Sequence, residues 1–331
     1  MALSHDSPIF IVGMPRSGTT LLTSILSAHP RLGISPESHY LSYWIPNYRH
    51  LNLADKQEFQ QFWQTLSTSR RFSYFDVDAE IVLARIRAEG GSPCHRTVFT
   101  AWMTAYAERI QKPRWGEKTP LHYQHLPQLL SWFPQAQILW MIRDPRAVAA
   151  SLLDMTWASD YVHIHARQWC ESTQLFETSW SQDPRVRLVA YERLVQSPQA
   201  VVKELLEFLQ EDYVDNLIRQ RSTDAMPIVN RQGWALAHLS QALQPLSTGS
   251  IDRWRQRLSP SQQAIVNHLT DGVRQRYGYG DPSDLPLSRR AAAVLRWAEL
   301  RWRLDRKAAV WRTRLWGKSS RRAREIGAVS P

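Results

Sequence analysis

Two stretches of this chain order their residues so that they can hold anions. The first, Pro8-Ile9-Phe10-Ile11-Val12-Gly13-Met14-Pro15-Arg16-Ser17-Gly18-Thr19-Thr20-Leu21-Leu22, runs from an apolar strand through a small-residue turn into a helix. A turn of this kind aims backbone N–H groups and the positive end of the helix dipole at one anion. Against the nucleotide-binding pattern G-x-x-x-x-G-K-[ST], Gly13 and Gly18 fit, but Thr19 stands at the lysine position and the cation is Arg16, inside the loop. That favours holding a phosphate-like group in something other than an ordinary ATPase or GTPase. The second stretch is Met141-Ile142-Arg143-Asp144-Pro145-Arg146-Ala147-Val148-Ala149-Ala150-Ser151. Arg143 leaves a strand end, and Ser151 lies about two helical turns further on. A guanidinium and a hydroxyl facing one crevice can clamp a second phosphate. The plain alternative is an Arg143 paired with a carboxylate and a solvated Ser151. Together the two stretches suggest a nucleotide phosphorylated at two distant positions.

The elements needed to position these residues are legible as strands alternating with helices. Strands are expected at 8–13, 137–142 and 186–191, and helices at 19–28, 122–132, 146–155, 198–210 and 259–277. Residues 52–111 read as three helical pieces, with Phe59, Phe62, Trp63, Leu66, then Ile81, Leu83, Ile86, then Phe99, Trp102, Met103, Tyr106 at helical spacing. Residues 114–120 are short and bounded by prolines, and are expected at a strand end and loop. Short strands separated by helices indicate an α/β fold: a P-loop-type parallel sheet flanked by helices, with an added C-terminal basic helix. Ligands in such sheets sit beyond the carboxyl ends of the strands, where the motifs fall.

At 331 residues the chain suits one core with an appendage. The breaker-rich segment 278–286 predicts a boundary, with a catalytic domain over 1–284 and a Trp/Arg-rich helical tail over 285–331. Net charge is +11, but 285–331 hold 13 Lys and Arg against 3 Asp and Glu, leaving 28 against 27 elsewhere. The body is almost neutral, which argues against a nucleic-acid partner. Cys94 and Cys170 are far apart and suggest neither a zinc site nor a disulfide framework. The first residues lack the pattern of a signal peptide, and a cytoplasmic location is expected. In the tail, Trp297, Leu300, Leu304, Ala308, Trp311 and Leu315 form one helical stripe among arginines, with Leu295, Trp302 and Trp316 on another side. It suits peripheral contact with an anionic membrane, a second subunit, or the body itself.

Pro15-Arg16-Ser17-Gly18-Thr19-Thr20 resembles the 5′-phosphosulfate loop of sulfotransferases that use 3′-phosphoadenosine 5′-phosphosulfate (PAPS), and Arg143 with Ser151 resembles that family's 3′-phosphate site. The resemblance extends to Glu37, Gly116-Glu117-Lys118-Thr119-Pro120, Tyr191-Glu192-Arg193-Leu194 and Ile251-Asp252-Arg253-Trp254. It spans roughly residues 8–280 and is strongest to the branch holding the tyrosylprotein sulfotransferases and bacterial relatives. The resemblance implies that Arg16 and the N–H groups of Ser17, Gly18, Thr19 and Thr20 hold the 5′-phosphate and sulfuryl oxygens. It implies Glu37 as general base, with His39 as rival, and Lys118 at the oxygen bridging sulfur and phosphate. Tyr191 and Arg253 would complete the nucleotide site. The bland readings are a surface carboxylate at Glu37 and a solvated lysine at 118. No metal is required, since Arg16, Lys118 and Arg143 supply the positive charge. The acceptor would carry a hydroxyl, on a small molecule, saccharide or peptide, in a pocket lined by 38–111 and 225–250.

Two other function classes compete. A P-loop kinase or NTPase lacks its lysine here, and Asp144 is the only acid suited to hold its magnesium. A non-catalytic scaffold with a relic cradle does not explain an intact set of Glu37, Lys118, Arg143 and Ser151.

Overall fold

The structure, a computed structural model, describes residues 7–219 and 246–315. In chain order the main elements are β1 (Ile9–Gly13), α1 (Thr19–Leu26), β2 (Leu32–Ser35), α2 (Lys56–Ser67), α3 (Ala79–Ala88), α4 (His95–Arg109), β3 (Arg114–Lys118), α5 (Leu126–Trp132), β4 (Gln137–Ile142), α6 (Pro145–Leu152), α7 (Val162–Leu175), β5 (Val186–Ala190), α8 (Pro198–Leu209), α9 (Pro260–Thr270) and α10 (Arg289–Leu315). The strands form one sheet in the order β2-β3-β1-β4-β5. β1 runs parallel to both β3 and β4, and β2 runs parallel to β3. This is the expected α/β architecture.

Two local expectations need correction, and β2 is an addition to them, since Leu-Gly-Ile-Ser is too short to show a period. Residues 114–118 are a wholly buried strand rather than a strand end, although Arg-Trp-Gly-Glu-Lys reads as loop. Burial is tolerated because each charge has partners: Arg114 bonds Glu211 and the carbonyls of Ser7 and Leu209, while Glu117 and Lys118 are satisfied by the loop that follows β2. The helix expected over 259–277 stops at Thr270, and Gly272, at φ 71°, turns the chain before a short helical turn, Val273–Arg276.

Contacts divide the chain into two units. The first holds the sheet and, of the described residues, 7–13, 18–141, 182–219 and 246. Period-two alternation along β1 sends Ile9 and Ile11 into a cluster with Leu22 and Ile25 of α1, Leu139 of β4 and Leu205 and Leu206 of α8. Phe10 points the other way, onto Phe99, Trp115 and Phe133.

The second unit comprises 14–17, 142–181 and 247–315. Its core joins Ala147 and Ala150 of α6, Ala166 of α7, Trp254, Ile265 of α9, and Ala291 and Leu295 of α10. Arg146 lies 4.1 Å over the Trp254 ring and pairs with Asp144 and Asp284, and Arg274 also binds Asp284. The first turns of α10 therefore belong to this unit's core, although they lie past the boundary expected at 284/285. Removing 285–331 should lower stability by about 2–4 kcal/mol through loss of buried Ala291 and Leu295, measured by thermal and urea unfolding.

Candidate active site

In the first unit, Gly13 and Gly18 bracket the loop for steric reasons. Gly13 has φ 136°, and a Cβ there would stand 2.3 Å from the Met141 carbonyl oxygen. Gly18 has φ 96°, and its Cβ would stand 2.4 Å from the ring of Tyr191, the residue that opens the helix following β5. Gly18 is also the N-cap of α1, and no side chain caps the N–H groups of the first turn. Uncapped donors at a helix start are the local condition for holding an anion.

At the end of β3, Lys118 Nζ donates to Glu37 Oε1, and Glu37 Oε2 accepts from His39 Nε2 at 2.9 Å. Arg71 donates to the Glu37 carbonyl at 3.0 Å. The Lys118 side chain is only 5% exposed, against 31% for Glu37, so Lys118 is no solvated loop lysine. Burial pushes the Glu37 carboxyl up, but the Lys118 ammonium and the His39 bond outweigh it and hold the group well below its usual range. Burial, reinforced by Arg71, lowers His39 to about 4. His39 is therefore neutral at pH 7 and gives its Nε2 proton to Glu37, which leaves the carboxylate as the accessible base of the pair.

The sequence offered Glu117 only as part of a motif. It is fully buried, and its Oε1 accepts from the Ser38 N–H at 3.0 Å, the Ser38 hydroxyl at 2.8 Å and the Thr119 hydroxyl. Its Oε2 accepts from His122 Nδ1 at 3.0 Å. Each of these side chains in turn takes a backbone N–H: Thr119 Oγ1 from His39, Ser38 Oγ from Tyr40, and His122 Nε2 from Leu41. Four consecutive N–H groups, Ser38 to Leu41, thus end on one carboxylate directly or through one relay. They open the π-helical turn Tyr40–Trp44. These bonds fix the backbone immediately after Glu37. A threonine and a histidine two and five residues after the acid were the available signal, but the pairing with Ser38, 79 residues away, is non-local.

In the second unit, Arg16 sits in the left-handed region at φ 71°, and its Nε donates to Ser151 Oγ at 2.9 Å. Arg143 donates to the carbonyls of Arg16, at 3.3 Å, and Ser250, at 2.9 Å. The structure thus brings together Arg16, Arg143 and Ser151. Arg253 is exposed and is a partner in none of those bonds. The Ser17 hydroxyl is buried with no hydrogen-bond partner among the described residues. An orphaned buried hydroxyl in this loop fits an anionic ligand. Both carboxylate oxygens of Asp144 are engaged by Arg146, whose N–H it also caps, so it is a structural cap for α6. Residues 225–245 of the expected acceptor pocket lie outside the described residues.

The Sulfotransferase family model matches residues 8–215. The chain belongs to the sulfotransferase family. This sulfotransferase is 24% identical over 302 residues to protein-tyrosine sulfotransferase A of Caenorhabditis elegans, covering 86% of this chain and 70% of that one. It is 22% identical over 295 residues to protein-tyrosine sulfotransferase 2 of Gallus gallus, covering 84% and 71%. Its fold is similar to the sulfotransferase domain of the Synechococcus PCC 7002 olefin synthase, with a TM-score of 0.58, 22% identity, and 85% and 99% of the two chains covered. Its reaction class is sulfuryl transfer from PAPS to a hydroxyl-bearing acceptor, and the kinase alternative is not favoured. No described helix is long and apolar enough to cross a membrane.

Two histidines, His39 buried and His95 half-buried, predict a fold that loses stability in acid. His39 and His95 are each lowered by burial from 6.5 to about 4, so the unfolded chain binds more protons between those values. Stability should fall as pH drops from about 6.5 to about 4, and His39→Gln should flatten that slope by about one proton. Urea midpoints across this range test it.

Proposed function

We propose that Glu37 is the general base and Lys118 the electrophilic partner of sulfuryl transfer, and that Arg16, Ser17, Gly18, Thr19, Thr20, Arg143, Ser151, Tyr191 and Arg253 bind PAPS. The observation that carries this reading is the Glu37–Lys118 ion pair, with neutral His39 as second donor to the carboxylate. The acceptor hydroxyl gives its proton to Glu37 while its oxygen attacks sulfur. The bond from sulfur to the 5′-phosphate oxygen breaks, and adenosine 3′,5′-bisphosphate leaves with the charge that Lys118 and Arg16 neutralise. The buried Ser17 hydroxyl and the uncapped start of α1 support the 5′ assignment. Arg143 and Ser151 would take the 3′-phosphate, which Ser151 meets by exchanging its bond with Arg16. Arg16 then takes the 5′-phosphate as its partner. The names of the relatives make a tyrosine phenol the first acceptor to try.

A carboxylate held far below its usual pKa is a weak base, so Lys118 has a second role here. With the donor's negative charge present, the ammonium has a stronger partner, and Glu37 regains basicity as it loses its counter-ion. Glu37→Gln should lower turnover by roughly 10²-fold or more while leaving nucleotide affinity nearly intact. Lys118→Ala should lower turnover and move the acid limb of the kcat/KM profile, which reports the free enzyme, to higher pH, because the carboxyl there loses the cation that depresses it. Near-full activity of Glu37→Gln, with loss in His39→Ala, would transfer the base role to His39.

Adenosine 3′,5′-bisphosphate should raise the melting temperature far more than ATP with magnesium, since only the former engages both anion sites. Arg143→Ala should weaken its binding by about 1.5–3 kcal/mol, read by calorimetry. Equal stabilisation by ATP would falsify the nucleotide assignment.

A further inference from the structure

We propose that α10 docks this protein on an anionic lipid surface, an inference independent of the catalytic assignments. One side of the helix is fixed by its own unit. Ala291 and Leu295 lie in the core, Glu299 pairs with Arg167, and Asp305 accepts from the Tyr161 hydroxyl at 2.9 Å and faces Arg301 at 4.0 Å. At 100° per residue, Trp297, Leu300 and Leu304 gather on another side, where they are 59%, 57% and 54% exposed. Arg290 and Arg301 border this stripe on one flank, with Val294 beyond them toward the core side, and Arg289, Arg296 and Arg303 border it on the other, all five arginines exposed. Both acids of 289–305 are therefore engaged by unit-2 side chains, and the outer face is an apolar ridge between two rows of arginine. Residues 306–331 continue the charge bias with eight Lys and Arg against one Glu.

That arrangement matches the chemistry of a lipid interface. Trp and Leu enter the boundary between headgroups and acyl chains, while the arginine rows meet anionic headgroups on either side. The contact is peripheral, since no described helix can cross a bilayer. A second copy is a poor occupant, because isologous packing would set arginine rows against each other with no acid on the described outer positions to pair them. A nucleic acid leaves the central Leu300 and Leu304 side chains without apolar cover.

The test is flotation of the full chain with vesicles of phosphatidylcholine alone or with about 30% phosphatidylglycerol. Binding is expected only to the anionic vesicles, falling at least ~10-fold between low and high salt. The double variant Trp297→Glu/Leu304→Glu should lose at least ~10-fold of that binding while its melting temperature and sulfuryl transfer to a soluble phenol stay unchanged. Arg289→Gln/Arg296→Gln/Arg303→Gln should lose the preference for anionic lipid. The proposal is overturned by equal binding to both vesicles, by absence of binding to either, or by full binding of the double variant. It is also overturned by a salt-insensitive dimer that the double variant abolishes, or by retention on heparin without vesicle binding.

Discussion

The buried carboxylate of Glu117 is the constraint on which the candidate catalytic group depends. A helix that starts inside a protein leaves its first N–H groups without partners, and burying them unsatisfied is costly. Here one acid on β3 collects the N–H groups of Ser38, His39, Tyr40 and Leu41, one directly and three through Ser38, Thr119 and His122. The charge is stabilised by the same donors, which hold Glu117 below its usual range against the opposing effect of burial. Because Lys118 and Thr119 follow Glu117 directly, the network that orders the loop after β2 also fixes the lysine that meets Glu37. Precision at Glu37 thus comes from a strand and a neighbouring carboxylate rather than from the loop itself.

Next to that scaffold, the proposed reacting groups hold each other in a resting arrangement. Lys118 neutralises Glu37, and burial keeps His39 neutral so that it donates a proton without adding charge. Preorganised charges of this kind act strongly where water is excluded, and little reorganisation is needed when charge develops in a transition state. In the second unit Arg16 and Ser151 satisfy one another in the same way. Each pair keeps polar atoms of the folded chain partnered.

The basic C-terminal helix follows a different logic. Its first turns are held by apolar packing at Ala291 and Leu295, and its acids by side chains of the second unit. What is left outside is chemically uniform, apolar and cationic, so the same helix that completes a core also presents a surface.

The sequence by itself determined the local chemistry. Strand–helix alternation marked a parallel sheet, while Gly13, Arg16 and Gly18 at their spacing suggested an anion loop and Arg143 with Ser151 a second cation and hydroxyl. These signals are local, because a strand–turn–helix unit and a helical repeat are written within a dozen residues. Tertiary structure alone decided that the charged segment 114–118 is a central strand. Its charges find partners at Glu211, Ser38 and Glu37, which are far away in the chain. It also decided that His39 serves Glu37, that Asp144 caps α6 instead of standing free, and that Arg16 rests on Ser151. A short strand of mixed charge carries no period to read, and a pKa depends on what long-range folding places beside the group. Those facts exist only once the chain is folded.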